Sequence, residues 1–144
     1  APPVKVRIPV TEFFADLKRL NPEPYIHFQL SDESLEWEAD RAQMEQVFLN
    51  LLKNAREACA TVNEPNIQVR AESNGKERIF IIQDNGEGIL PDVLERIFIP
   101  FFTTKPNGSG IGLSLCKQII TLHGGSISAT SGNGQGSCFR ILFP

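Results

Sequence analysis

Residues 41–60 carry the strongest helical period in the chain. Met44, Val47, Phe48, Leu51, Leu52, Ala55 and Cys59 recur at three- and four-residue steps as one broad apolar stripe, and such a helix must bury its stripe against another layer. Asp40 stands before it as the expected N-cap. Around this helix the sequence alternates in kind. Val4 to Ile8 reads as a short strand that Pro9 ends, and Thr11 is expected to cap an amphipathic helix through Phe13, Phe14, Leu17 and Leu20. After the breaker Asn21-Pro22-Glu23-Pro24, Tyr25 to Leu30 and Leu35 to Glu38 read as two strands joined by the polar turn Ser31 to Ser34. Ile67 to Glu72 and Arg78 to Asp84 flank Asn74-Gly75, a hairpin signal. Gly110 to His123 is helical again and stops at Gly124-Gly125; Ser126 to Thr130 and Ser137 to Phe143 then pair as a closing hairpin.

At 144 residues the chain fits one domain, and at that size roughly 70% of the unfolded chain's surface can be buried without a disulfide or structural metal. A net charge of −3 with interspersed signs argues against nucleic acid as a partner. The three cysteines, Cys59, Cys116 and Cys138, match neither a zinc or redox pair nor a disulfide framework, so a reducing, cytoplasmic setting is expected. No apolar run approaches the roughly 20 residues that span a bilayer, so no direct membrane contact is expected.

Three groups of residues carry chemistry. On the 41–60 helix Asn50 and Asn54 are four residues apart and share a face, which Glu57 and Ala58 continue. Asparagine is a mediocre helix former, and an amide oxygen suits Mg²⁺, which keeps most of its waters and substrate phosphates. Asp84 closes the apolar run Ile79-Phe80-Ile81-Ile82 and precedes Gly86 and Gly88. A buried carboxylate there needs a donor, and the exocyclic amino group of adenine is a suitable one; the glycines would let the backbone approach a flat base. The same residues also suit a tight turn in which Asp84 caps its own backbone, and the turn alone leaves both open. A calcium loop fails, because its third, fifth and sixth positions are Gly86, Gly88 and Ile89.

The third group is Gly108-Ser109-Gly110-Ile111-Gly112-Leu113, a glycine loop opening a helix, where unpaired N–H groups and the helix dipole favour an anion. It lacks the Gly-Lys-Ser/Thr of a Walker A loop and the third glycine of a dinucleotide fingerprint. Between the two glycine loops lies a segment without strong periodicity, of the kind that serves as a functional cover. It includes Arg96-Ile97-Phe98-Ile99-Pro100-Phe101-Phe102-Thr103-Thr104-Lys105, whose phenylalanines could latch a lid while Arg96 and Lys105 neutralise phosphate charge. His123, before Gly-Gly at a helix end, suits a partly positive cap, and His27 in a strand is structural; neither has the neighbours of a nucleophile or ligand set.

In this order the segments resemble the ATP-binding catalytic domain of sensor histidine kinases, in the superfamily that includes gyrase, Hsp90 and MutL. Gln46 to Ala58 resembles the N box, Asp84 to Ile89 the G1 box, Arg96 to Lys105 the F box, Gly108 to Leu113 the G2 box and Gly136-Ser137-Cys138-Phe139 the last glycine box. The resemblance implies a two-layer α/β sandwich of the Bergerat type, a mixed sheet with helices on one face and an ATP lid at about residues 89–109. It implies that Asn54 coordinates Mg²⁺, that Asp84 bonds the adenine amino group, and that Gly86, Gly88 and Ile89 line the base pocket with Glu57 and Ala58 nearby. Arg96, Thr103, Thr104 and Lys105 would face the phosphates with the backbone of Gly108 to Leu113, and Ser137 would support Asp84 through hydroxyl or water contacts.

In the superfamily's ATPases the position one turn before the metal-binding asparagine is typically a water-activating glutamate; here it is Asn50. An amide is a poor proton acceptor, which favours a kinase over a hydrolase. The resemblance further implies a phosphoacceptor histidine on a separate dimerisation hairpin, expected to be absent from residues 1–144, and a response regulator receiver domain as an indirect partner. A serine kinase of the anti-sigma-factor type and a non-catalytic nucleotide-binding module remain the alternatives.

Overall fold

The computed structural model describes residues 2–102, 112–132 and 135–144. The chain opens with β1 (Val6–Pro9), which runs directly into α1 (Val10–Leu20); β2 (Ile26–Leu30), β3 (Glu36–Ala39) and the long α2 (Arg41–Ala58) follow. Next come the hairpin β4 (Ile67–Ser73) and β5 (Arg78–Asp84), a short α3 (Pro91–Leu94), α4 (Gly112–Leu122) and the hairpin β6 (Ser126–Ser131) and β7 (Ser137–Phe143). Five strands form one mixed sheet in the order β2-β4-β5-β7-β6, with β2 parallel to β4 and the other neighbours antiparallel; β1 and β3 form a separate two-stranded ribbon.

Alternation along the strands decides which face is covered. Val69, Phe80, Ile82, Phe139 and Ile141 point into the core with Phe13, Phe14 and Leu17 of α1, Met44, Phe48 and Leu52 of α2, and Ile119 and Ile120 of α4. Their strand neighbours Glu72, Gln83 and Arg140 are exposed on the other face. The helices therefore lie on one face of the mixed sheet, as the two-layer sandwich requires. Phe80 is at the centre, its ring centroid 4.9 Å from Trp37, 5.3 Å from Phe48 and 5.8 Å from Phe143. Such offset and edge-on contacts stabilise beyond the area they bury.

Several elements differ from the sequence expectation. Thr11 does not cap α1; the helix begins at Val10, with Pro9 before it and no side-chain cap. The Val10 N–H, one of the first-turn donors without an intrahelical partner, donates to the Leu35 carbonyl at 3.0 Å, so a distant chain segment helps to seat the helix start. β2 and β3, adjacent in sequence, do not pair with each other. Ser31 continues the sheet by donating to the Ala71 carbonyl at 3.1 Å, and Asp32 then accepts the Ser34 N–H at 2.8 Å and turns the chain away toward β1. Asp40 does cap α2, accepting the Gln43 N–H at 3.1 Å. His123 is buried, and its ring joins two elements: Nε2 accepts the Asp40 N–H at 3.0 Å, and Nδ1 faces the Ile119 carbonyl at 2.8 Å. The ring thus serves as acceptor as well as donor, rather than as a partly positive cap alone. Gly124, at φ +77°, ends α4; the Gly125 N–H returns to the Ile120 carbonyl at 3.0 Å.

Candidate functional site

The site lies where the C-terminal part of α2, the end of β5 and the turn before β7 meet. β5 delivers Asp84 on its inward-facing row, so the carboxylate is buried, 5% exposed. Its Oδ1 accepts two main-chain N–H groups, from Gly86 at 2.8 Å and Ser137 at 3.3 Å. No donor among the described residues reaches Oδ2. Burial pushes the Asp84 carboxyl above the usual carboxylate range, and the two amides only partly oppose it. A buried carboxylate with one oxygen anchored and the other without a donor fits an amino group brought by a ligand.

The turn after Asp84 is held by protein on three sides. Asn85 Oδ1 accepts the Asn66 N–H at 2.8 Å, and its amide donates to the Glu64 carbonyl at 2.9 Å, which ties the turn to the loop before β4. At Gly86 a β-carbon would lie 2.4 Å from the Ala58 carbonyl oxygen, and the Glu87 N–H donates to that oxygen at 3.3 Å. Gly88 has φ +82°, and its missing β-carbon would lie 2.8 Å from the Gly132 carbonyl. The close approach that these two glycines permit in the structure is thus to α2 and to the β6–β7 turn. Gly136 is tighter still: at φ +79°, a β-carbon there would lie 2.0 Å from the Asp84 carbonyl.

On α2, Asn50 and Asn54 are both half-buried, Ala58 is half-buried and Glu57 is exposed. Asn50 reaches the start of α4: its amide donates to the Gly112 carbonyl at 3.3 Å, and a β-carbon at Gly112 would lie 2.6 Å from Asn50 Oδ1. Asn50 therefore braces the glycine that opens α4, a tertiary role that its helical position alone does not reveal. No group of three His, Cys, Asp or Glu among the described residues could hold a metal ion. A lone amide such as Asn54 would supply one neutral oxygen to an ion that keeps its waters and ligand phosphates, the arrangement Mg²⁺ favours.

From Leu90 to Phe102 the chain is more regular than its sequence suggests. α3 is followed by a run of turns in which the N–H groups of Arg96, Ile99 and Phe102 donate to the carbonyls of Val93, Arg96 and Ile99, respectively, each three residues back. Ile97 is buried, and Phe98 packs edge-on against Phe139 with centroids 6.4 Å apart while Lys117 Nζ lies 5.6 Å above its ring. Phe101 is 74% exposed. Arg96 is exposed and takes part in no ion pair among the described residues. Thr103, Thr104, Lys105, Gly108, Ser109, Gly110 and Ile111 lie outside the described residues. Gly112 and the half-buried Leu113 open α4. Ser137 meets Asp84 through its main-chain N–H rather than through the hydroxyl or water contacts that the resemblance implied. Asn85, Ser131 and Gly136 complete the frame; only the Asp-Asn-Gly and Gly-rich turns hinted at them in sequence.

No helix among the described residues is long and apolar enough to cross a membrane. Residues 39–144 match the family described as histidine kinase-, DNA gyrase B-, and HSP90-like ATPase. The sensor histidine kinase ZraS of Salmonella typhimurium is 40% identical over 123 residues, which are 85% of this chain and 26% of that protein. This chain spans about a quarter of the length of that relative. Among solved structures, the catalytic domain of the histidine kinase ThkA superposes with a TM-score of 0.86 at 32% identity, covering 98% of this chain and 95% of that one. ThkA in complex with the response regulator protein TrrA gives a TM-score of 0.80 at 29% identity, covering 97% of this chain and 41% of that one. The chain therefore belongs to the histidine kinase-, DNA gyrase B- and HSP90-like ATPase family, and within it to the histidine kinase catalytic domains.

Proposed function

We propose that this domain binds Mg-ATP and presents the γ-phosphoryl group to a histidine on a dimerisation hairpin that lies outside residues 1–144. The observation that carries the reading is the Asp84 carboxylate, buried, anchored through Oδ1 and without a donor on Oδ2 among the described residues. The adenine amino group would complete its hydrogen bonding, with Gly86, Gly88 and Ile89 beside the base. Asn54 would hold Mg²⁺, which neutralises phosphate charge when bound. Arg96, Thr103, Thr104, Lys105 and the backbone of residues 108–113 are assigned to the phosphates by their positions in the family's boxes. Asn50 braces Gly112 and offers no base to activate water, in keeping with transfer to a protein acceptor rather than hydrolysis. A receiver domain would take the phosphoryl group from the hairpin, in the cytoplasm.

Neither histidine of this chain suits the acceptor role. His123 is buried with both ring nitrogens engaged, and His27 is an exposed residue of the edge strand β2. The test is incubation with labelled ATP and Mg²⁺, first alone and then with a hairpin supplied in trans. The expected result is an acid-labile phosphoprotein on the hairpin and little label on the domain. Stoichiometric modification of His27 or His123 would refute the reading, and an acid-stable product would redirect it to a serine kinase.

A further inference from the structure

Ser131, the last residue of β6, joins two main-chain segments of the site with one hydroxyl. Its Oγ accepts the Ile89 N–H at 2.7 Å and donates to the Gly136 carbonyl at 2.9 Å. Those two partners belong to different segments, 47 positions apart in sequence. Ile89 is the first residue after the glycine turn and leads into α3. Gly136 is seated against the Asp84 carbonyl, and the next N–H, that of Ser137, holds Asp84 Oδ1. A hydroxyl can donate one bond and accept another at the same atom, which neither an amide nor a methyl group of that size can do. Gly88 makes room for it, since a β-carbon there would lie 3.1 Å from Ser131 Oγ. No other acceptor among the described residues takes the Ile89 N–H.

We propose that Ser131 is a positioning residue for the nucleotide site. Its hydroxyl pins Ile89, at the exit of the glycine turn, to the turn that aims Asp84, so that carboxylate and glycine turn meet the base in one arrangement. The inference rests on the reading of Asp84 as the base-binding carboxylate. Ser131 Oγ bonds only main-chain groups among the described residues, and the base contact it would position is common to ATP and ADP.

Titration calorimetry with ATP and ADP, together with thermal unfolding of the nucleotide-free protein, tests this. Ser131→Ala should weaken both nucleotides by the same factor, about fivefold for one net hydrogen bond. Ser131→Thr, which keeps the hydroxyl, should recover most of the affinity. A Ser131→Ala protein with a lower unfolding midpoint but unchanged affinities would overturn the proposal and leave the hydroxyl as a brace of the fold. A loss confined to ATP would also overturn it, because it would place the effect at the γ-phosphate. Should the alanine variant not fold, hydrogen exchange in the wild-type protein decides. The Ile89 amide should exchange slowly and slow further with ADP; exchange as fast as at exposed amides with ADP bound would refute the proposal. A wild-type domain that binds neither nucleotide would instead refute the assignment of Asp84, a separate outcome.

Discussion

Asp40 and Asp84 both stand where a strand ends, yet their surroundings give them opposite roles. At Asp40 both oxygens are occupied: Oδ2 accepts the Val4 N–H at 2.9 Å and Oδ1 the Gln43 N–H at 3.1 Å. Those amides hold its carboxyl below the usual carboxylate range. At Asp84 both amides converge on Oδ1, and burial holds the carboxyl above that range. A carboxylate whose acceptors are filled from within the chain completes the fold. One that is desolvated with an oxygen left over weakens the empty domain and leaves an acceptor that a ligand's amino group would complete under the proposed function, the usual tension between a binding site and stability.

The largest effect should come from breaking that difference at its functional end. Asp84→Asn keeps an oxygen for the two amides but places an NH₂ opposite the ligand's donor. It should weaken ATP binding about 10- to 100-fold, the loss of a charged hydrogen bond, while raising the unfolding midpoint of the nucleotide-free domain. Full ATP affinity by calorimetry would show that the adenine assignment is wrong. Gly136→Ala should come next. Its β-carbon meets the Asp84 carbonyl in a left-handed backbone conformation, so a cost of about 1–3 kcal/mol in urea unfolding is expected, with nucleotide affinity falling alongside.

A smaller effect separates the two carboxylates by pH. Asp84 has a raised folded value, so the folded state holds its proton more tightly. Stability from this group is highest below the unfolded value of 3.8 and declines as pH rises through the window up to the folded value. Asp40 has a depressed folded value, so its contribution is present above 3.8 and is lost as pH falls through the folded value. Urea midpoints between pH 3 and 7 should therefore change in opposite directions in Asp84→Asn and Asp40→Asn relative to wild type; parallel profiles would erase the contrast. The smallest change is expected from Asp40→Ala, which removes the cap of α2. It should lower the unfolding midpoint by a few degrees and leave ATP affinity unchanged. A drop in affinity as large as that of Asp84→Asn would show the two ends of α2 to be coupled.

Local chemistry made much of the fold legible. The α2 stripe, the Asn74-Gly75 hairpin and the Gly124-Gly125 stop each depend on neighbours within a few residues, and each appears where the periodicity and turn residues place it. Thr11 misled because the helix starts before it, at Val10, whose N–H is held by the Leu35 carbonyl 25 positions away. The turn joining β2 to β3 misled similarly: adjacent strands with a polar turn look like a hairpin, but pairing with β4 and with β1 takes them apart. At the site, Asp84, Gly86 and Gly88 were legible from spacing, and Asn50 from its place before Asn54. Ser131 and Asn85 acquire their roles from partners 42 and 21 positions away, and Gly136 from its seat against the backbone of Asp84.

By itself, then, the sequence determined the amphipathic helix α2, the strand that ends in Asp84, the glycine turns and the amide at position 50, all consequences of periodicity and of side-chain chemistry at short range. Only the tertiary structure decided that Asp84 would be buried with Oδ1 anchored by two main-chain amides and Oδ2 without a donor among the described residues. Desolvation and the direction of main-chain donors are set by which distant strands and turns close around a carboxylate, and no local pattern encodes them.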